Sequence, residues 1–394
     1  MKRLAFAALL CSCGGGENPP SKVVAIPSQP ATRASATATS LPRAADSSGP
    51  RSAANAAPRV VIKELAVTEA SCGLDDHGRV WLWGTMEMER DVPSIEGARM
   101  IGCYGNSHAC VVASDATVLC WGWNSYGALG DGTEKSHTDD PVRVKGLASV
   151  AEIGLDFNRT CARTTNGDVY CWGDSEFGKA GDGRLPDNVG REKLLPGKPI
   201  LAGATTLSVA SAHACSVLTD GRISCWGQNN SLACGQPPNV RYAARPMIVP
   251  KVKDAVSVSA GGSTTCMLDK DGAVSCWGEE PIDHKPRQTP VKVPLPEKAV
   301  QIVVGVETHA CARLASGAVH CWGRNENGEL GDGTKIDRPS PVAVKGITNA
   351  TRIGAGLGDT CALLGDGRVL CRGTKRGHDD DALTPVELRV AHER

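Results

Sequence analysis

The sequence predicts an all-β fold of seven four-stranded units stacked and closed radially into a propeller, on three observations. Trp-Gly recurs at Trp83, Trp121, Trp172, Trp226, Trp277 and Trp322, with Arg372-Gly373 in the seventh place, at steps of 38, 51, 54, 51, 45 and 50 residues. Six of these units carry two cysteines ten residues apart around a turn signal. Glycine is abundant at 45 of 394 residues and aromatics are scarce at 4%, which suits many tight turns better than a helical core. Units of about 50 residues cannot bury a face alone, so they must stack, and radial closure hides the strand edges.

Each unit can be read strand by strand. An apolar strand leads into the first cysteine, and the pairs are Cys110 and Cys120, Cys161 and Cys171, Cys215 and Cys225, Cys266 and Cys276, Cys311 and Cys321, and Cys361 and Cys371. Turn dipeptides such as Asp220-Gly221, Asp271-Gly272 and Asp366-Gly367 lie between them, flanked by β-prone residues such as Val111, Val112, Val118 and Leu119, so each pair brackets a hairpin. Residues placed symmetrically about such a turn face each other at Cα separations of about 4.5 to 5.5 Å, which a disulfide can span. Closing a loop of that length stabilises by roughly 2 to 3 kcal/mol in the chain-entropy model. In the first unit Cys72 holds the early place and Leu82 the late one, so that pair is missing. Cys103 and Cys234 match no repeat partner; Cys72 and Cys103 lie in adjoining units, but spacing does not decide their connectivity.

After Trp-Gly comes a second signature, Asn-Ser-Tyr-Gly-Ala-Leu-Gly-Asp-Gly-Thr at 124–133, repeated in kind at 325–334 and degraded at 181–183. A Pro-Val pair follows, at Pro141-Val142 and Pro341-Val342, giving the fourth strand. These residues resemble the repeat of the regulator of chromosome condensation family, over about Arg59 to the C-terminus. The resemblance implies a seven-bladed propeller whose sequence repeats run out of phase with its blades, so that residues 385–390 would return beside 60–65 to close the ring. It also implies a binding habit, since secreted relatives of this repeat include β-lactamase inhibitory proteins.

The N-terminus places the chain. Met1, Lys2 and Arg3 precede an apolar run at 4–10, too short to span a bilayer and typical of a signal peptide. Leu-Cys-Ser-Cys at 10–13 resembles the lipobox of bacterial lipoproteins, with Cys13 as the lipidated residue. The expected organisation is a signal peptide at 1–12, an Ala/Ser/Pro-rich linker at 13–58 behaving as a flexible tether, and the propeller at 59–394. Export favours disulfides and an outer-membrane, cell-surface or periplasmic location, with membrane contact only through the lipid.

Chemistry is sparse. His108, His213 and His309 each stand two residues before a cysteine, as zinc ligands could, but Arg159, Thr264 and Asp359 fill that place in alternate units. A structural strand position is therefore expected, with no metal and no cofactor. Asp131, Asp182 and Asp332 sit in Gly-Asp-Gly segments that lack the other oxygens a calcium site needs, so tight turns are expected. Equal numbers of acidic and basic residues, 43 each, argue against nucleic acid as a partner. Trp123, Tyr126 and Phe177, in loops after the Trp-Gly strand, are candidate partner anchors, together with Arg184 and Arg191 on the long connection from 174 to about 200.

The reading is a monomeric, non-catalytic scaffold for a protein or cell-envelope component. Its rivals are an envelope hydrolase or lyase using the propeller mouth, and a structural envelope or spore-coat protein. The family's namesake exchanges guanine nucleotide on a small GTPase, a role the export signal sets aside.

Overall fold

The computed structural model describes residues 60–83, 95–105, 107–185, 192–279, 284–306, 309–373 and 383–387. Cys13, Arg191, the segment 1–12 and the segment 13–58 lie outside the described residues.

Seven antiparallel sheets follow one another along the chain, and each is a simple meander whose strands pair in sequence order. Among the described residues the first sheet has three strands and the other six have four, giving a seven-bladed propeller. Blade 1 holds strands within 62–83, blade 2 within 100–143, blade 3 within 150–193, blade 4 within 208–248, blade 5 within 255–292, blade 6 within 299–343 and blade 7 within 350–387. In blade 2, for example, the strands run Met100–Tyr104, His108–Val112, Val118–Gly122 and His137–Arg143 from centre to rim.

The second and third strands of blades 2 to 7 form the anticipated hairpins. Cys110 opposes Cys120 and Cys311 opposes Cys321 in direct register, and all six pairs are disulfides with Cα separations of 4.0 to 4.1 Å. The turn between them needs a left-handed residue, and Gly221 supplies it at φ 76° while the Asp220 carboxylate accepts from Arg222 N at 3.0 Å. A seventh disulfide, Cys72–Cys103, crosses from blade 1 to blade 2. Cys234 is a buried thiol that packs where Leu129 and Leu330 pack in blades 2 and 6. The outer strands of blades 2, 4, 5 and 6 carry Pro141, Pro246, Pro290 and Pro341. A proline on a rim strand removes an amide that a foreign strand could pair with.

Ring closure differs from the expectation. The last described strand, Val386–Glu387, pairs with the third strand of blade 7 and not with the chain's first strand. Blade 7 is thus continuous in sequence, and the ring closes through the device found at every other seam. The amide that opens one blade's inner strand bonds to a carbonyl in the preceding blade's hairpin turn: Val150 N to Ala116 O at 2.9 Å, Ala204 N to Gly167 O at 2.9 Å, Ala255 N to Gly221 O at 3.0 Å, Ala299 N to Gly272 O at 2.9 Å and Ala350 N to Gly317 O at 3.0 Å. Between blades 7 and 1 the same bond is Ile62 N to Gly367 O at 3.3 Å, reinforced by Arg352 and Glu64 at 2.6 Å. With Ala98 N bonding to Gly78 O at 3.3 Å between blades 1 and 2, all seven seams carry this bond, and no returning strand closes the ring among the described residues.

The hydrophobic core lies in the seams. One cluster joins Val112, Val118, Leu129 and Val144 of blade 2 to Val150, Ile153, Leu155 and Trp172 of blade 3, and the other clusters repeat that arrangement. At the centre the inner strands enclose a channel of about 250 Å³. They approach so closely that a Cβ on Gly154 would meet Val209 at 2.6 Å and one on Gly354 would meet Val67 at 2.5 Å. Ser208 and Ser259 bridge neighbouring inner strands by accepting from Ala260 N at 2.8 Å and Val304 N at 2.9 Å.

Candidate functional site

The turns between first and second strands and the loops after third strands emerge on one face of the ring, as shown by main-chain bonds between them: Trp123 N to Ser107 O at 2.7 Å, Asp174 N to Asn158 O at 2.9 Å and Gln228 N to Ala212 O at 2.9 Å. On this face Trp123 leaves 57% of its surface in solvent. Phe157, in the first turn of blade 3, leaves 58%. Ser107 joins them, because its carbonyl accepts from Trp123 N and its hydroxyl donates to Phe157 O. Tyr104 packs edge-on against the Phe157 ring, with centroids 6.4 Å apart, and so fixes the ring's base.

The other candidates divide. Tyr126 and Phe177 occupy equivalent left-handed positions, both at φ 59°, and both are half-buried. Phe177 stacks on Tyr242 of the next blade, with centroids 5.5 Å apart, so its ring fastens a loop to a neighbouring rim. Arg184 folds back on its own connection, with Nε 3.4 Å from Asp182 and NH1 donating to Glu192 O at 3.3 Å. Sequence reasoning missed Phe157 because it sits in a turn outside the recurrent motifs. The signal was present as an aromatic residue between Asp156 and Asn158, residue types that favour a turn.

The histidines are seam elements. His108 Nε2 lies 2.8 Å from Thr160 Oγ1 in the next blade, and Thr160 donates to Ala128 O at 2.8 Å. Trp172 Nε1 donates to the same carbonyl at 2.8 Å. His213, Thr265, Ala233 and Trp277 repeat the arrangement at 2.7, 2.8 and 2.9 Å. His309 meets Thr360 at 3.0 Å. Burial holds all three imidazoles neutral, with pKa values pushed down to about 3.

The Gly-Asp-Gly segments are turns. Asp131 accepts from Thr133 N at 3.0 Å and Asn124 Nδ2 at 3.1 Å, while Asn124 also holds Lys135 O at 3.0 Å and receives Leu129 N at 2.9 Å. Burial alone would raise the Asp131 pKa, but the hydrogen bonds from Thr133 and Asn124 outweigh it and leave the group more acidic than usual. Asp75, Asp76 and His77 come close enough to hold a cation. The Asp75 carboxylate is already filled, however, by His77 N, Arg79 N, Arg79 Nε and Trp81 Nε1 at 2.7 to 3.2 Å. The channel wall presents apolar side chains, glycines, hydroxyls and main chain.

The family model described as Regulator of chromosome condensation (RCC1) repeat matches residues 115–154 and 316–363, and a second RCC1 repeat model matches 101–128, 157–179, 255–280 and 299–329. The chain carries RCC1 repeats. Among curated proteins it is similar to the mouse E3 ubiquitin-protein ligase HERC2, at 26% identity over 322 residues, which span 74% of this chain and 6% of HERC2. It is likewise similar to the Arabidopsis thaliana ultraviolet-B receptor UVR8, at 27% identity over 71% of this chain and 66% of the receptor. Human WBSCR16 shares its fold with a TM-score of 0.66 at 19% identity, covering 81% of this chain and 94% of that one. Yeast RCC1 (Prp20), solved bound to Kap60, does so with a TM-score of 0.65 at 17% identity, covering 89% and 91%. The chain thus covers most of the WBSCR16 and Prp20 chains but only a small part of the length of HERC2. Seven disulfides suit an oxidising compartment. No helix among the described residues is long and apolar enough to cross a membrane.

Proposed function

We propose that this chain is an exported, lipid-anchored and non-catalytic binding platform, with a signal peptide at 1–12, lipid on Cys13, a tether at 13–58 and the RCC1-repeat propeller from 59 onward. Its partner, a protein or other envelope component, meets the face that carries Trp123 and Phe157. The exposed pair is the observation that carries this reading. Large aromatics are normally well buried, and two that stand out on one face, on bases fixed by Ser107 and Tyr104, are rigid anchors of the kind that dominate interfaces. Prp20 was solved with a protein bound, which supports partner binding by this fold, and its structural likeness makes nucleotide exchange the rival activity.

The test is site-specific photocrosslinking of the full-length protein in its native membrane fraction, with the probe at position 123 or 157, or at Asp271 in an exposed turn on the opposite face. One dominant adduct at 123 and 157, absent at 271 and lost from 123 when Phe157→Ala is introduced, is expected. Equal labelling on both faces overturns the assignment. Intact-mass analysis of the same preparation reads the lipid on Cys13, and an unmodified N-terminus removes the anchor from the proposal.

A further inference from the structure

The three buried histidines occur in every second blade, and so do their partners. Blades 2, 4 and 6 read His-Ala-Cys at His108, His213 and His309, whereas blades 3, 5 and 7 place Thr160, Thr265 and Thr360 immediately before the cysteine. The imidazoles therefore fasten seams 2–3, 4–5 and 6–7 and no others.

Hydrogen counting fixes their state in the first two of these seams. Thr160 and Thr265 each have a single hydroxyl hydrogen and direct it at a carbonyl, Ala128 O and Ala233 O. The imidazole must then be the donor, so Nε2 carries the hydrogen and Nδ1 holds the lone pair. An added proton would go to Nδ1. In His213 that atom has no hydrogen-bond partner among the described residues, and in His108 it faces the Ser107 hydroxyl at 3.2 Å.

The charged groups nearby oppose protonation. Arg159, paired with Asp156 at 2.7 Å, lies close enough to His213 to disfavour its charge. Arg372, surrounded by Glu329, Asp332 and Asp359, does the same to His309, against a hydrogen bond to the Asp359 main chain that favours the charge. Among the described residues the His108 ring bonds to the hydroxyls of Ser107 and Thr160, and burial is what opposes its charge.

We propose that these three seams form an acid-sensitive catch: protonation of His108, His213 and His309 releases blades 2 from 3, 4 from 5 and 6 from 7, while the intervening seams hold. Seam 3–4 depends on Arg159, whose NH2 donates to Ala210 O at 2.8 Å, and carries Glu152, which bonds to the Leu207 main chain and which burial makes less acidic than usual, so that acidification does not weaken it; seam 5–6 depends on Ser259 and main-chain bonds. The sign follows from linkage. The folded imidazoles take a proton only near pH 3, the unfolded ones near 6.5, so their contribution is complete above pH 6.5 and is lost as the pH falls towards 3. At pH 5 the folding equilibrium falls by roughly thirtyfold per histidine.

The test is native-state hydrogen exchange on the full-length oxidised protein between pH 7.5 and 5.0, corrected for intrinsic rates. Protection of Val150, Ala255 and Ala350 amides, which cross the histidine seams, should fall relative to Ala204 and Ala299, which cross the intervening seams. Uniform change at all five, or none, overturns the proposal. Urea unfolding of the His108→Gln/His213→Gln/His309→Gln variant provides the second reading: its midpoint should be flat across the range where the wild-type midpoint drops, and parallel curves again refute the catch.

Discussion

Seams 2–3 and 6–7 are built on one plan from different materials. In the first, Trp172 is fully buried over Gly130, where a Cβ would meet its Nε1 at 2.7 Å, and it donates to Ala128 O. In the second, Arg372 occupies the tryptophan's place over Gly331 and donates to Gly328 O. Glu329 replaces the alanine, is itself buried, and accepts from Asn327 N and Nδ2, both at 2.9 Å. Burial is the main influence on Arg372 and brings its pKa down to about 9, against the charges of Glu329, Asp359 and Asp332. At this position the tryptophan contributes dispersion and one hydrogen bond, while the arginine balances desolvation against charge. The lesson is that a repeat tolerates loss of its signature residue when the facing residue changes with it.

The largest effect should come from Trp172→Ala, which removes that seam's largest side chain and leaves a cavity. A loss of about 4 kcal/mol is expected in urea unfolding, and less than about 1 would show that the seam does not depend on the indole. Arg372→Ala should lose about 3 kcal/mol, because Glu329 is left buried without its counter-charge. Converting the second seam into the first, with Arg372→Trp and Glu329→Ala together, should instead gain about 2 kcal/mol, and a double-mutant cycle should show strong coupling between the two positions. Additive effects would break the comparison. The smallest change should come from Thr160→Val and Thr360→Val, about 1.5 kcal/mol each, since either leaves a buried imidazole Nε2 without its partner. Unequal losses would mean that the two seams differ beyond position 372.

Much of this was legible because it is local. Ten-residue cysteine spacing around Asp-Gly reports a hairpin with facing cysteines, since register follows from the turn. The Asn124 and Asp131 signature likewise reports a self-contained loop whose side chains bond within ten residues. Less legible was whatever depends on the neighbouring blade. The alternation of His108, His213 and His309 was visible, yet the threonines that answer them are 51 to 52 residues away. Trp123 and Phe177 occupy similar loops, but Phe177 finds Tyr242 to stack on and Trp123 remains in solvent.

The sequence by itself therefore determined the number of repeats, the hairpin register, the disulfide-bonded cysteines within the hairpins of blades 2 to 7 and the turn chemistry, because each is an interaction within one chain segment. The tertiary structure alone decided how the ring closes, what the buried histidines bond to, which aromatics stay exposed and where Cys72 and Cys103 pair. Those outcomes depend on distances between blades, and such distances are set by the packing of seven seams around a common axis.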